Sequence, residues 1–173
     1  GKTMIPHSKP TIDSSDIRAV VSVLKSGYLS SGELSKRFEK EFAKYIGSKF
    51  AVAVNSGPSA LHLALLALKI KPRDEVIIPS YVCTALLNAI NYIGAVARVA
   101  DIDSDDFNNS PASASKLISR KTKVVIVPHM FGLAAKMDEL RKFRVPIIED
   151  CALSVGASYK DKKIGSFGKG AVF

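Results

Sequence analysis

The stretch "EVIIPSYVCTALLNAINYIGAVARVADID", from Glu75 to Asp103, decides the fold. It opens on "EVIIPS", an apolar run without polar alternation, as expected of a strand buried on both faces. "VCTALLNAINYIG" (82–94) then has the spacing of a helix, and "AVARVADID" (95–103) is apolar and β-branched again. A strand, a helix and a second strand in succession are the repeating unit of a parallel sheet.

The same alternation continues outward in both directions. Downstream, "SPASASKLIS" (110–119) reads as a short helix, "TKVVIVPH" (122–129) as a strand, "MDELRKF" (137–143) as a short helix and "VPIIED" (145–150) as a strand. "ASYKDKKIGS" (157–166) fits a two-stranded turn or a loop, and "GAVF" (170–173) is strand-like. Upstream, "KFAVAV" (49–54) is predicted to be a buried strand, followed by a turn and a helix in "NSGPSALHLALLALKI" (55–70). Two amphipathic helices precede it. The first, "DSSDIRAVVSVLKSG" (13–27), has Asp13 or Ser14 to cap its start and Gly27 to end it. The second, "GELSKRFEKEFAKYIG" (32–47), places Leu34, Phe38, Phe42 and Ile46 on one face, with Gly47 at its end. "MIPHSKPTI" (4–12) reads as extended chain, and Asp103–Ser115 as the longest loop. The fold class expected is α/β: three layers, a mostly parallel sheet with helices on both faces.

With 173 residues, 47% of them hydrophobic, the chain can form a sizeable core. No apolar run reaches the length of a membrane helix, and no leader pattern is present, so a membrane partner or a secreted precursor is not expected. Cys83 and Cys151 stand among apolar residues without metal-ligand spacing, and read as small reduced core residues of a cytoplasmic protein. The net charge of +9 raises nucleic acid as a partner. Its basic clusters, however, fall at helix ends and turns, and no nucleic-acid motif accompanies them. A phosphorylated small molecule accounts for the charge equally well.

In open α/β sheets ligands sit at the carboxyl ends of strands. Asn55-Ser56-Gly57-Pro58-Ser59-Ala60 is a small-residue turn into a helix, where free N–H groups and the helix dipole favour phosphate or a simple cap. Pro79–Cys83 can present an aromatic ring or a thiol, or merely start a helix. His129 is a candidate acid, base or ligand contact, or a hydrogen-bonded structural histidine. Glu149-Asp150 puts carboxylates where they must be solvated, paired or set against a cation. One such cation is a protonated pyridine nitrogen.

Taken together, "LKSGYLSSGELSKRFEKEFAKYIG", "AVAVNSGPSALHLAL", "RDEVIIPSYVCTALLNAI", "KTKVVIVPHMFGLAAKMDEL", "IIEDCA" and "GASYKDKKIGSFG" resemble the DegT/DnrJ/EryC1/StrS family of pyridoxal-phosphate-dependent sugar aminotransferases, in order and spacing, over nearly the whole chain. The resemblance implies the large domain of the aspartate-aminotransferase fold, fold type I, with pyridoxal 5'-phosphate as cofactor. It implies that Asp150 pairs with the pyridine nitrogen, that Ser56, Gly57, Pro58, Ser59 and Ala60 hold the phosphate, and that Cys83 stands where an aromatic residue usually stacks on the ring. The sequence departs from the family pattern at four positions. Pro58 replaces a threonine, Cys83 an aromatic, Leu153 a glutamine and Val155 a histidine.

The resemblance also implies that residues 1–173 are the N-terminal segment and most of the large domain, with the C-terminal domain absent. The Schiff-base lysine is expected beyond Phe173, since Lys169 is out of register, and the chain alone is therefore expected to be inactive. The intact enzyme is expected to act in the cytoplasm as a homodimer. It would carry an amino group from an amino acid, glutamate, to a nucleotide-linked keto-sugar for polysaccharide synthesis. The alternatives are a sugar dehydratase on the same fold, or a non-catalytic relic or interaction module.

Overall fold

The computed structural model describes residues 8–173, so the extended reading of Met4–His7 lies outside the described residues. The chain divides into two compact units, residues 1–38 and 39–173. In the first, α1 (Ser14–Ser26) begins as its sequence predicts. The Asp13 carboxylate accepts the N–H groups of Ser15 and Asp16, and the Asp16 side chain answers to the Asp13 N–H, completing a capping box. Gly27 closes the helix at φ 73°, a left-handed position that suits glycine. No side chain of α1 is buried, and Ile17, Val20, Val21 and Leu24 are exposed. On α2 (Glu33–Ile46), Ile46 is buried, whereas Leu34 and Phe38 are exposed, so the expected apolar face is only partly covered.

The second unit is built on a five-stranded sheet. Its strands are β1 (Glu75–Pro79), β2 (Val96–Ala100), β3 (Thr122–Pro128), β4 (Ile147–Asp150) and β7 (Gly170–Val172). They run in the order β2-β1-β3-β4-β7, and every pairing is parallel. Side chains alternate across the strands, so each face has its own core. On one face Val76, Ile78, Val124, Ile126 and Ile148 pack against Leu61 and Leu65 of α3 (Gly57–Ala67) and Leu86 and Ile90 of α4 (Ala85–Ile93). On the other, Ile77, Val125, Val127 and Ile147 pack against Ala114 of α5 (Pro111–Leu117) and Met137 and Leu140 of α6 (Met137–Leu140). Burial on both faces explains the unbroken apolar runs of β1 and β3.

Three expectations need correction, and one open alternative is decided. Residues 49–54 form no strand, and Phe50 and Val52 are strongly exposed. Apolar composition supplies faces for a strand but not the ladder, and among the described residues this run has no strand beside it. It is tied instead by the Ala53 N–H donated to Glu39 Oε1 at 2.8 Å and by the Ser48 hydroxyl donated to Phe50 O at 3.0 Å. Cys83 is not a core residue but exposed, and α4 starts after it, so only Cys151 fits the buried reading. The long loop after β2 is shorter than Asp103–Ser115, because Ser110 caps α5 and Pro111 takes its first turn. Residues 157–166 are resolved in favour of a hairpin: β5 (Ser158–Tyr159) pairs antiparallel with β6 (Lys162–Lys163). Lys160 and Asp161 both adopt positive φ at its turn, as a two-residue hairpin of the favoured twist requires.

Candidate active site

The carboxyl ends of β3 and β4 lie side by side, with Val127 opposite Glu149 and Pro128 opposite Asp150. Alternation sends the two acids of "IIED" to opposite faces. Ile147 belongs to the α5–α6 core and Glu149 follows it to that side. Ile148 belongs to the core that α3 and α4 cover, and Asp150 follows it. The structure therefore gives two neighbouring carboxylates unlike surroundings.

Glu149 is fully buried and surrounded by donors. Its Oε1 accepts the N–H groups of Phe167 and Gly168, each at 2.7 Å. Its Oε2 accepts the Gly165 N–H at 2.7 Å and stands 3.1 Å from His129 Nε2. The other imidazole nitrogen, Nδ1, accepts the Ala135 N–H at 3.0 Å. That bond assigns the proton to Nε2, so His129 is a neutral donor to Glu149. Burial alone pushes the Glu149 carboxyl up, but His129 and the N–H groups of Gly165, Gly168 and Phe167 outweigh it and bring it below the ordinary carboxylate range.

Asp150 is half-buried, and among the described residues the hydrogen bond to its carboxylate comes from Ala152 N–H, at 3.2 Å. Burial pushes its carboxyl up, only partly offset by the Ala152 N–H. An ionised group poorly supplied with donors is stabilised by a cation placed against it. Neighbouring acids whose environments push them apart mark a site where each does a different task.

The other predicted residues fall as follows. Ser56 caps α3, its Oγ accepting the Ser59 N–H at 3.3 Å and lying 3.0 Å from Ser59 Oγ. Gly57 and Pro58 open the helix, and Ala60 N–H returns to Ser56 O at 3.0 Å. Pro58 is comfortable there, since the first-turn N–H it lacks has no partner within the helix. α3 covers the sheet face to which Asp150 turns, so the turn and Asp150 share a side. Cys83 lies exposed in the loop between β1 and α4. Leu153 and Val155, in the turn after β4, are exposed apolar groups. His129 instead sits on the opposite face with both ring nitrogens engaged.

The sequence reading named Glu149 beside Asp150 but not its partners, which lie in a turn some sixteen to nineteen residues onward. The repeated glycine of "GSFGKG" was the available signal. It also missed an aromatic group at the same sheet edge. Tyr81, Phe107 and Phe131, from the loops after β1, β2 and β3, hold ring centroids 5.8–6.4 Å apart. Finally, His129, Glu149 and Cys151 bring potential metal-ligand atoms within 4.8 Å of one another. The histidine nitrogens and carboxylate oxygens are already hydrogen-bonded, and burial and the adjacent acids push the Cys151 thiol up, so a metal would have to displace this network.

The sequence pattern of the DegT/DnrJ/EryC1/StrS aminotransferase family matches residues 10–173. The chain belongs to this family. GDP-perosamine synthase of Caulobacter vibrioides is 40% identical over 174 residues, an alignment covering 98% of this chain and 47% of that protein. The PLP form of the putative sugar aminotransferase Spr1654 from Streptococcus pneumoniae superposes with a TM-score of 0.91 at 30% identity, over 95% of this chain and 47% of that one. A GDP-4-keto-6-deoxymannose-3-dehydratase, ColD, with bound GDP-perosamine, gives 0.90 at 31% identity, over 94% and 45%. The DegT/DnrJ/EryC1/StrS chain described here thus spans about half the length of the curated relatives it matches. Its α/β fold is that of the fold type I large domain.

Proposed function

We propose that this chain is the N-terminal segment and most of the large domain of a pyridoxal-phosphate-dependent aminotransferase acting on a nucleotide-linked keto-sugar, with an amino acid such as glutamate as donor. The observation that carries the reading is Asp150, a half-buried carboxylate at a strand's carboxyl end with one N–H for company. Family membership and the PLP-form neighbour support the cofactor. The residues fit it in two respects. Asp150 would hold a protonated ring nitrogen. The Ser56–Ala60 turn would offer hydroxyls and the helix dipole to a phosphate. They fit it less well at Cys83, where a thiol replaces a stacking ring.

When bound, the cofactor supplies an electron sink for a carbanion at the substrate carbon. The chain's own part is electrostatic and positional. Asp150 would keep a proton on the ring nitrogen, and the N-terminus of α3 would hold the phosphate end. The lysine that links the cofactor lies, on this reading, beyond Phe173. The 173-residue chain, given cofactor, glutamate and a panel of nucleotide keto-sugars, is expected to form no amino-sugar, whereas the intact protein is expected to form one. Amino-sugar from the short chain, or none from the intact protein with any of the panel, counts against the proposal. The likeness to ColD favours a second reading, dehydration. A deoxy-sugar product carrying no new nitrogen would select it.

Assembly as a homodimer belongs to the same reading. The exposed apolar side chains include Ile17, Val20 and Leu24 of α1, Phe50 and Val52, and Phe131. A few hundred Å² of such surface, at about 25 cal/mol per Å², amounts to several kcal/mol before the cost of association. Repulsion between copies of charge +9 opposes this and is screened by salt. Light scattering behind a sizing column is expected to show a dimer or larger species that strengthens with salt. A strict monomer at tens of micromolar in both low and moderate salt would remove the assembly from the reading.

A further inference from the structure

We propose that Glu149 is the positioning residue of this site: its buried carboxylate pins the Gly165–Gly168 turn and His129 to the carboxyl end of β4, and so fixes where Asp150 stands. The geometry leaves little choice. Three backbone N–H groups from one turn and one imidazole N–H converge on two oxygens at 2.7–3.1 Å, with no exposure to solvent. The turn cannot be replaced by an ordinary one. A Cβ on Gly165 would strike the Phe173 ring, and one on Gly168 would lie 2.5 Å from Ile147 O. Gly168 is thus drawn in until backbone meets backbone, and Gly165 leaves room for the Phe173 ring.

The pinned turn leads directly into β7, which pairs with β4 through Asp150 opposite Val172. Cys151 N–H closes this edge on Val172 O at 2.8 Å, and His129 N–H holds Asp150 O at 2.9 Å. The peptide that carries Asp150 is therefore fastened on both sides by elements that Glu149 itself ties down. The groups near Glu149 that can carry charge are His129, across the hydrogen bond, and Cys151, whose thiol feels its field, while Asp150, next in the chain, turns to the other face. With the Ala135 N–H donated to its Nδ1, His129 meets Glu149 as a donor, so the carboxylate is the network's anion.

A glutamine cannot substitute. Its amide offers one acceptor oxygen and one donor nitrogen, while all four neighbours donate. Either orientation sets two donors against the NH₂, and the backbone donors cannot change. His129 cannot rescue it by moving its proton to Nδ1, because that nitrogen faces the Ala135 N–H.

The consequence for catalysis rests on the reading of Asp150 given above; the positioning itself is read in the ligand-free chain. The experiment is Glu149→Gln in the 173-residue protein, labelled for NMR. The Gly165, Phe167 and Gly168 amides are expected to exchange at least about tenfold faster than in the wild type. The Asp150 carboxyl carbon, followed against pH, is expected to titrate closer to the ordinary carboxylate range as water reaches it. A general loss of stability would speed exchange everywhere but would not move the titration of Asp150 in a chain that is still folded. Unchanged exchange at the three amides, or an unchanged Asp150 midpoint, overturns the proposal. Should the variant not fold, the wild type decides. Its three turn amides are expected to open with β4, within about tenfold of the Cys151 amide. Exchange faster than that, with Cys151 still protected, would show that the turn is not pinned. Neither result depends on turnover, so failure of the aminotransferase reading and failure of this one are separable.

Discussion

Gly168→Ala is expected to be among the most damaging single-methyl changes in the second unit, lowering stability by about 3 kcal/mol or more. The new Cβ would lie 2.5 Å from Ile147 O and 3.2 Å from both Gly170 O and Ile147 C. All three are backbone atoms, so no side chain can swing away. Relief requires the turn to lift from β4. That stretches the Gly168 N–H bond to Glu149 and the Lys169 N–H bond to Ile147 O, now 2.7 and 2.8 Å. Overpacking of this kind costs about 1–3 kcal/mol. A buried carboxylate short of a donor adds about 1–3 kcal/mol more. The natural control is Gly170→Ala, two residues on, where no heavy atom lies within 4 Å of the added Cβ. That change is expected to be neutral or slightly stabilising, since alanine lowers the entropy of the unfolded chain. Urea unfolding of the three proteins checks the order. Equal midpoints for the two variants would mean that the turn relaxes freely and that its close approach to β4 contributes nothing.

That turn also shows how far the sequence alone could be read. Apolar runs without alternation announced β1, β3 and β4, because a strand covered on both faces has no polar side. The caps of α1 and α3 were legible because Asp13 and Ser56 act within three residues of themselves. Asp150 was legible as a carboxylate at a strand's end, and its pairing with a ring nitrogen is the role that the family resemblance implies and that is proposed above. What stayed hidden was decided by partners distant in sequence. Residues 49–54 have the composition of a strand, but a strand exists only where another lies beside it. Cys83 looked like a core residue from its apolar neighbours in sequence, yet it falls in the loop before α4, where those neighbours do not surround it. His129 was left open between a ligand contact and a structural role, and its two nitrogens are both engaged inside the chain. Glu149 was named together with Asp150 but not told apart from it, because nothing local distinguishes a carboxylate with four donors from one with a single donor.

Asp150→Asn is expected to have opposite effects on stability and on catalysis. The folded chain holds the Asp150 carboxyl above its ordinary value, chiefly through burial. A group raised in this way favours the folded state fully only below its unfolded value, and that contribution is lost as pH rises through the raised folded value. At neutral pH, therefore, ionised Asp150 burdens the ligand-free chain. Asparagine keeps the shape, can still accept the Ala152 N–H and never ionises. The variant is expected to melt above the wild type at neutral pH, with the gap closing as the solution is taken below the ordinary carboxylate range. In the intact enzyme the same change is expected to lower kcat by about a hundredfold or more, with KM much less affected. The charge it removes matters where charge develops in the transition state rather than in binding. The two measurements together distinguish a functional acid from a structural one. A structural Asp150 would lose stability on substitution and leave kcat nearly intact. A carboxylate that weakens its own fold until a cation arrives does the reverse, as expected of a residue retained for what it binds.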